Sequence, residues 1–145
     1  MIGLIQRVTQ AKVEIEGVEV AAINKGILLL LGVEKEDTSA KADRLLERII
    51  HYRIFSDEKG RMNCSLQDIQ GELLVVPQFT LPADTRKGNR PGFSTAASPE
   101  QGKELFDYFC TAVEKQLGQC HCGRFGADMQ VSLTNDGPVT FWLTV

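Results

Sequence analysis

Residues 27–33 read Ile-Leu-Leu-Leu-Leu-Gly-Val, the longest apolar run in the chain. A helix that crosses a bilayer needs about 20 such residues, so this run does not indicate a membrane protein. It is apolar on both faces, which is typical of a strand at the centre of a sheet. We therefore predict that residues 27–33 form the central strand of the fold.

Further strands are predicted on both sides of this run, because apolar and polar residues alternate there with a period of two or form short buried runs. They cover residues 11–15, 18–23, 52–55, 73–76, 129–134 and 139–145. The segment Asn-Asp-Gly-Pro at residues 135–138 joins the last two strands. It is interpreted either as a tight hairpin or as a rigid turn that presents backbone carbonyls to a ligand, since glycine and an X-Pro bond allow unusual geometry.

Two helices are predicted where apolar residues recur at helical spacing after a capping residue. The first begins at Thr38 or Ser39, and the second is capped by Ser98 and ends at Gly118. Gln101 is placed to complete a capping box with Ser98. The predicted core faces of the two helices are Ala42, Leu45, Leu46, Ile49 and Ile50, and Leu105, Phe109, Ala112, Val113 and Leu117.

The composition fits one globular domain, with 145 residues of which 43% are hydrophobic and 24% charged. We predict a single α+β domain over residues 1–145, with a mostly antiparallel sheet or barrel-like β core and two main helices. A net charge of −3 argues against binding nucleic acid through bulk charge, although a local basic patch is compatible with it. The N-terminal residues do not resemble a signal peptide, so we expect a cytoplasmic protein with reduced thiols.

Several common catalytic and metal-binding motifs are missing, including phosphate-binding glycine loops, Gly-x-Ser-x-Gly and His-Glu-x-x-His. His51 lies at the end of the first helix, where a cation offsets the helix dipole. Cys120-His121-Cys122 carries zinc-binding residue types, but one residue separates the cysteines instead of two to four, and no second pair follows. Cys110 is interpreted as a helix residue near the core. We expect no metal and no cofactor.

Two regions are candidates for a functional site. In Pro-Gln-Phe-Thr-Leu at residues 77–81, Gln78 and Thr80 share one face of a strand end, where they either cap the sheet or open a site. The irregular segment 82–97 follows, and a loop of this length in a compact domain is more often functional than not. Its cations are Arg86, Lys87 and Arg90.

At these residues the chain resembles the D-aminoacyl-tRNA deacylase family, also called D-tyrosyl-tRNA deacylases. The family's Ser-Gln-Phe-Thr-Leu motif corresponds to residues 77–81, and its Asn-x-Gly-Pro-Val-Thr motif to residues 135–140. Other segments match in family order along essentially the whole chain, among them residues 5–8, 31–33, 52–57, 90–94, 127–131 and 141–143. Pro77 departs from the family pattern, because it stands where the motif has serine and so lacks a hydroxyl and a backbone N–H.

The resemblance implies an enzyme that hydrolyses the ester bond of D-aminoacyl-tRNA and of mischarged glycyl-tRNA. It implies a homodimer with its active site at the interface, where Gly137 and Pro138, joined by a cis peptide bond, enter the partner's pocket and exclude L-residues. Backbone N–H groups near Phe79 and Thr80 are expected to stabilise the oxyanion. The tRNA's 2′-hydroxyl is expected to assist the attack, with the Thr80 hydroxyl as the alternative nucleophile.

The same resemblance implies roles for the remaining site residues. Gln78 orders the pocket, and Arg7 braces the Gly-Pro turn across the dimer. Met129 and Phe125 contact the terminal adenosine or belong to the core. The expected substrate- and tRNA-binding residues also include Asn135, Arg86, Lys87 and Arg90, the last three through acceptor-stem phosphates. The expected partners are tRNA and a second copy of the chain, without DNA or membrane. The alternative is a catalytically inactive module that binds the tRNA acceptor end, with Pro77 disabling the pocket.

Overall fold

The structure, a computed structural model, describes residues 1–145. Its elements follow the chain in the order β1 (Ile2–Ile15), β2 (Val18–Ile23), β3 (Gly26–Gly32), α1 (Ser39–His51), β4 (Phe55–Ser56), β5 (Met62–Cys64), β6 (Glu72–Pro77), α2 (Pro99–Leu117), β7 (His121–Cys122) and β8 (Gln130–Thr144). The predicted α+β fold with two main helices and a barrel-like sheet is confirmed.

The central place of β3 is confirmed. It lies between β1, to which it is antiparallel, and β6, to which it is parallel. All its residues but Leu30 are buried, as expected of a strand covered on both faces. The sheet is mostly antiparallel because β1 also pairs with β2 and with β8. Its order is β2-β1-β3-β6-β7, with β8 on the remaining edge of β1.

Two crossovers explain the parallel part of the sheet. The chain passes from β3 to β6 through α1 and the small β4–β5 hairpin, and from β6 to β7 through α2. Parallel neighbours need such a connection, and its helix covers one face of the sheet. The main hydrophobic core lies between this face and the two helices, which contact each other. The C-terminal end of β6 therefore points towards the loop that enters α2.

The helix predictions are confirmed at the caps. The Thr38 hydroxyl accepts a hydrogen bond from the Lys41 N–H, and the Ser98 hydroxyl accepts one from the Gln101 N–H. Gly118 ends α2 in the left-handed conformation. The capping box is incomplete, because the Gln101 amide donates to the backbone of residues 35 and 37 instead of to Ser98. Neither helix combines the length and apolar character that a membrane span requires.

Three local features differ from the interpretation of the sequence, one of them by deciding between the two alternatives at residues 135–138. Residues 135–138 are not a hairpin, because β8 continues through them as one strand along the full length of β1. The predicted strand at 52–55 is reduced to Phe55–Ser56, since Tyr52 still caps α1. His121–Cys122, for which no strand is predicted from the sequence, forms β7 at the sheet edge. The partners of β8 and β7, which are β1 and β6, are distant in sequence, so local alternation does not reveal these pairings.

Candidate active site

An apolar cavity of about 630 Å³ opens where β6 ends. Its walls are the end of β6, the loop that precedes α2, the first turns of α2 and the segment 125–131. Four residues predicted from the sequence line it together: Gln78, Phe79, Phe125 and Met129. A concave apolar site with few polar groups is the usual form of a small-ligand pocket.

The turn at residues 78–81 borders this cavity through Gln78 and Phe79. The Gln78 N–H donates to the Leu31 carbonyl at 2.8 Å, and the Leu81 N–H donates to the Gln78 carbonyl at 3.3 Å. The turn packs closely on β3, since a Cβ at Gly32 would lie 2.8 Å from the Leu81 Cβ. The backbone N–H groups of Phe79 and Thr80 donate to no group of the chain. Two adjacent free donors of this kind can stabilise an oxyanion.

Gln78 and Thr80 contact each other directly. The Gln78 side-chain amide donates to the Thr80 hydroxyl at 2.6 Å, although both residues lie in the turn beyond β6 and not on the predicted strand end. An amide cannot remove the hydroxyl proton, and both histidines lie elsewhere. His51 Nδ1 contacts the Glu47 carbonyl at the end of α1, and His121 lies beside Glu72. Thr80 therefore has no general base among its neighbours.

Two exposed phenylalanines form the rim of the cavity. The rings of Phe79 and Phe93 are 5.3 Å apart and tilted by 42°. Their exposed fractions are 65% and 43%, high for side chains of this size. Exposed aromatic rings beside a cavity suit the stacking of an unpaired base. Phe93 is not among the site residues predicted from the sequence, although an aromatic residue within a polar loop is the available signal.

Phe125 and Met129 are both half-buried and belong to the cavity wall as well as to the packing. The Phe125 ring lies 6.2 Å from that of Phe106, and a Cβ at Gly102 would approach it to 3.2 Å. The Met129 sulfur accepts from the Arg124 N–H at 3.4 Å. The two expected roles, core packing and ligand contact, are thus compatible at both positions.

The Asn-Asp-Gly-Pro segment is a wide bulge in β8. Gln6 pairs with Thr140 and Val8 pairs with Asn135, so residues 136–139 lie opposite Arg7 alone. The peptide bond between Gly137 and Pro138 is cis, as the resemblance implied. Both residues are exposed at the tip of the bulge. Gly137 has φ = 127°, a conformation that favours glycine.

The base of the bulge is closed by the Asn135 side chain. Its carbonyl oxygen accepts from the Val139 N–H at 3.0 Å, and its amide donates to the Thr140 hydroxyl at 2.9 Å. Both polar ends of the amide are therefore used inside the chain. The structure assigns Asn135 to supporting the bulge, whereas the expectation grouped it with the substrate- and tRNA-binding residues.

Arg7 holds the other side of the bulge. Its Nε donates to the Asp136 carbonyl at 3.1 Å and lies 3.2 Å from the Asp136 carboxylate, while its Nη1 donates to the Ile54 carbonyl at 2.6 Å. An arginine fork that holds two backbone carbonyls fixes their relative position. The structure places this brace within one chain, whereas the expectation placed it across a dimer.

The bulge and the turn at 78–81 do not meet within one chain. Thr140 is level with Leu74 of β6, through the paired residues of β1 and β3. Gln78 lies four residues beyond Leu74, about 13 Å further along the strand direction at about 3.3 Å per residue. β1 and β3 also separate the two strands. The two family motifs therefore lie apart within one chain, one directly after β6 and the other in the middle of β8.

Comparison with known proteins identifies the family of the chain. The family model described as D-Tyr-tRNA(Tyr) deacylase matches residues 4–144. The chain belongs to this family. Curated relatives named D-aminoacyl-tRNA deacylase are 59% identical in Haemophilus influenzae and 60% identical in Proteus mirabilis, each over 145 residues and the full length of both chains.

Solved structures share the fold of this deacylase family member. One, described as a c-Myc DNA Unwinding Element Binding Protein, is 39% identical with a TM-score of 0.95 and covers 100% of this chain and 99% of its own. Another, described as a probable eukaryotic D-amino acid tRNA deacylase, has a TM-score of 0.88 at 16% identity and covers 99% of this chain and 98% of its own. The second likeness concerns the fold alone.

Pro77 is a departure from the deacylase motif that the turn tolerates. It is the last residue of β6, pairs with Leu31 and lines the cavity. Its missing N–H does not interrupt the turn, because the hydrogen bond to the Leu31 carbonyl comes from Gln78. The free donors at Phe79 and Thr80 lie beyond it and are unaffected.

The irregular segment at residues 82–97, which we call the basic loop, contains two cationic side chains that form no ion pair. Asp84 and Gly92 form an isolated antiparallel bridge, so residues 85–91 project as an exposed tip. Arg86 binds the Asp84 carboxylate through two hydrogen bonds of 2.9 and 2.7 Å, which hold the pKa of Asp84 well below its usual range. Lys87 and Arg90 make no ion pair. They are therefore the cations best able to meet a phosphate.

Three of the four cysteines come together behind the cavity wall. The Sγ atoms of Cys110, Cys120 and Cys122 lie within 4.8 Å of one another. Hydrogen bonds from the other two thiols lower the pKa of Cys122, and those bonds together with burial raise the pKa of Cys110. The His121 Nε2 lies 3.4 Å from a Glu72 carboxylate oxygen. Sequence spacing showed only Cys-x-Cys, because Cys110 belongs to α2.

Proposed function

We propose that the chain hydrolyses the ester bond between a D-amino acid and the terminal ribose of tRNA, releasing free tRNA and the amino acid. The observation that carries this proposal is the pair of free N–H donors of Phe79 and Thr80 at the mouth of an apolar cavity. Curated relatives that match along the whole chain carry the name of this activity.

Ester hydrolysis passes through a tetrahedral oxyanion, which the two N–H donors stabilise more strongly than the ground-state carbonyl. The terminal adenine stacks on the rim formed by Phe79 and Phe93. The tRNA's own 2′-hydroxyl assists the attack, since Thr80 is hydrogen-bonded to an amide and has no base beside it. Gln78 holds the Thr80 side chain and so orders the pocket.

A complete site requires two copies of the chain in this proposal. The bulge with Gly137 and Pro138 is exposed in the middle of β8, and β1 and β3 separate it from the turn at 78–81 of its own chain. A symmetric dimer can place the bulge of each copy at the cavity of the other. β8 also supports a partner, because it pairs only with β1 and exposes Leu133 and Trp142.

The inserted bulge accounts for chiral selection. Its rigid backbone occupies the space that an L-side chain would need, so L-aminoacyl esters are excluded by collision. Glycine has no side chain to collide, so mischarged glycyl-tRNA is accepted as well. The acceptor stem lies along the basic loop, where Lys87 and Arg90 meet its phosphates. The enzyme acts in the cytoplasm, where tRNA is charged.

Hydrolysis of matched D- and L-tyrosyl-tRNA tests the proposal. We expect release of D-tyrosine and glycine from their tRNAs, with L-tyrosyl-tRNA intact. Binding of the tRNA acceptor end without turnover of any ester would instead support the inactive binding module. Equal hydrolysis of the D- and L-esters would contradict the chirality mechanism.

A further inference from the structure

The three-cysteine cluster arises from strand alternation combined with a helix. Cys120 immediately precedes β7 and Cys122 lies in it, so the two cysteines flank His121 along extended backbone. Their side chains point to the same face of the sheet, and the histidine points to the other. That face is covered by α2, which supplies Cys110. The single residue between Cys120 and Cys122 is too few for the usual zinc-binding cysteine pair. The same spacing places both sulfurs on the face where Cys110 lies.

The sulfur separations suit a common metal ion. Three sulfurs that are no more than 4.8 Å apart lie at most about 2.8 Å from a common centre, and a Zn–S bond is about 2.3 Å. Rotamer adjustments of well under 1 Å per sulfur close this difference. No carboxylate or imidazole joins the group within the same distance. A ligand set of thiolates alone selects soft cations such as Zn²⁺ or Cu⁺ over Mg²⁺ or Ca²⁺.

We propose that Cys110, Cys120 and Cys122 form a trithiolate site for one thiophilic cation, Zn²⁺ or Cu⁺, that ties the edge strand β7 to α2. Cu⁺ is satisfied by three sulfurs, and Zn²⁺ adds a solvent ligand. Coordination replaces the thiol protons, which pass to solvent, so binding weakens as pH falls. The bound ion fixes Cys122, which immediately precedes the segment 123–129. This segment contains Phe125 and Met129, two residues of the cavity wall.

Titration of the reduced, full-length protein with Cd²⁺ and with Zn²⁺ under anaerobic conditions tests this site. We expect the Cd–thiolate charge-transfer absorbance to saturate at about one ion per chain. The bound ion should protect three of the four cysteines from a thiol reagent, which leaves Cys64 reactive. A parallel titration with Cu⁺ against a chromophoric Cu⁺ chelator decides between the two cations. Absence of saturable binding by all three ions would overturn the proposal.

Cys64 provides a matched control, because it is also half-buried but lies on β5 outside the cluster. Cys64→Ser should leave the cadmium affinity unchanged. Cys110→Ser and Cys122→Ser should each weaken the cadmium affinity by more than about 100-fold. Loss of a residue that only hydrogen-bonds to a metal ligand costs roughly 10–100-fold, and these variants lose a ligand itself. Equal affinity in all three variants would contradict the site.

Thiol counting on the wild-type protein keeps the test valid if a variant fails to fold. Protection of three thiols by metal, reversed by a chelator, supports the trithiolate site. Loss of two thiols in air, reversed by a reductant and without metal binding in the reduced protein, would identify a disulfide instead and overturn the proposal.

Discussion

The turn at residues 78–81 and the bulge at residues 136–139 are built in opposite ways. The turn borders a cavity and leaves two backbone donors free at its tip. The bulge projects from a strand, and its supporting side chains, Asn135 and Arg7, have their polar atoms bonded within the chain. The turn is thus suited to bind a ligand, and the bulge is suited to enter the cavity of a second copy of the chain. One chain holds both forms at positions where they cannot meet.

The largest expected effect comes from removing one free donor of the turn. Phe79→Pro deletes the N–H, and proline fits because Phe79 is the second residue of the turn. Loss of one oxyanion donor should lower kcat by about 10²–10³-fold. Phe79→Ala is the matched control, since it keeps the N–H and removes the ring, and it should act mainly on KM. Similar kcat values for both variants would exclude this N–H as an oxyanion donor.

Gly137→Ala tests the shape of the bulge. The added Cβ would lie 2.7 Å from Val139 and 3.0 Å from the Arg7 guanidinium, so the bulge must shift. Displacement of a positioning element by about 1 Å costs up to about 100-fold, and we expect the loss in kcat/KM for D-tyrosyl-tRNA. Gly60→Ala is the control, because Gly60 has φ = 74° but nothing within 4 Å of the added Cβ.

Combining these two variants tests whether the turn and bulge act across chains. Phe79→Pro and Gly137→Ala chains, co-expressed with different tags and purified through both, form dimers with one intact site of two. We expect about half of the wild-type activity per dimer. If a turn worked with the bulge of its own chain, the mixed dimers would be as inactive as their parents.

A smaller effect is expected at the basic loop. Lys87→Gln with Arg90→Gln should weaken tRNA binding and reduce the slope of log KM against log salt by about 0.7–0.9 per lost phosphate contact. Arg86→Gln should change the slope less, because Asp84 already holds this guanidinium. A slope unchanged by the double variant would remove the loop from the tRNA-binding surface.

The smallest effect is expected at Thr80. Thr80→Ala removes the hydroxyl but keeps the backbone donor, so its kcat should stay within about threefold of wild type. A tRNA whose terminal adenosine lacks the 2′-hydroxyl should not be hydrolysed. The reverse pattern, an inactive Thr80→Ala enzyme that cleaves the deoxy substrate normally, would assign the attack to Thr80.

Local patterns predicted the elements whose neighbours are close in sequence. The caps at Thr38 and Ser98 and the buried stripe of α1 follow from residues within a few turns of each other. The bulge in β8 could not be predicted in this way, since a glycine and a proline between two alternating runs are equally typical of a hairpin. Its form depends on β1, which is long enough to pair with both runs. Cys110 lies beside Cys120 and Cys122 because α2 packs over β7, which the spacing of residues in the sequence does not show.

The sequence by itself determined the central strand, both helices and the two family motifs, because periodicity and capping are properties of neighbouring residues. Only the tertiary structure decided which backbone donors stay free at Phe79 and Thr80, and that Arg7 holds the bulge of its own chain. It also placed the two motifs apart, one directly after β6 and the other in the middle of β8. Hydrogen bonding and strand register are set by partners far away in the chain, so no local pattern contains them.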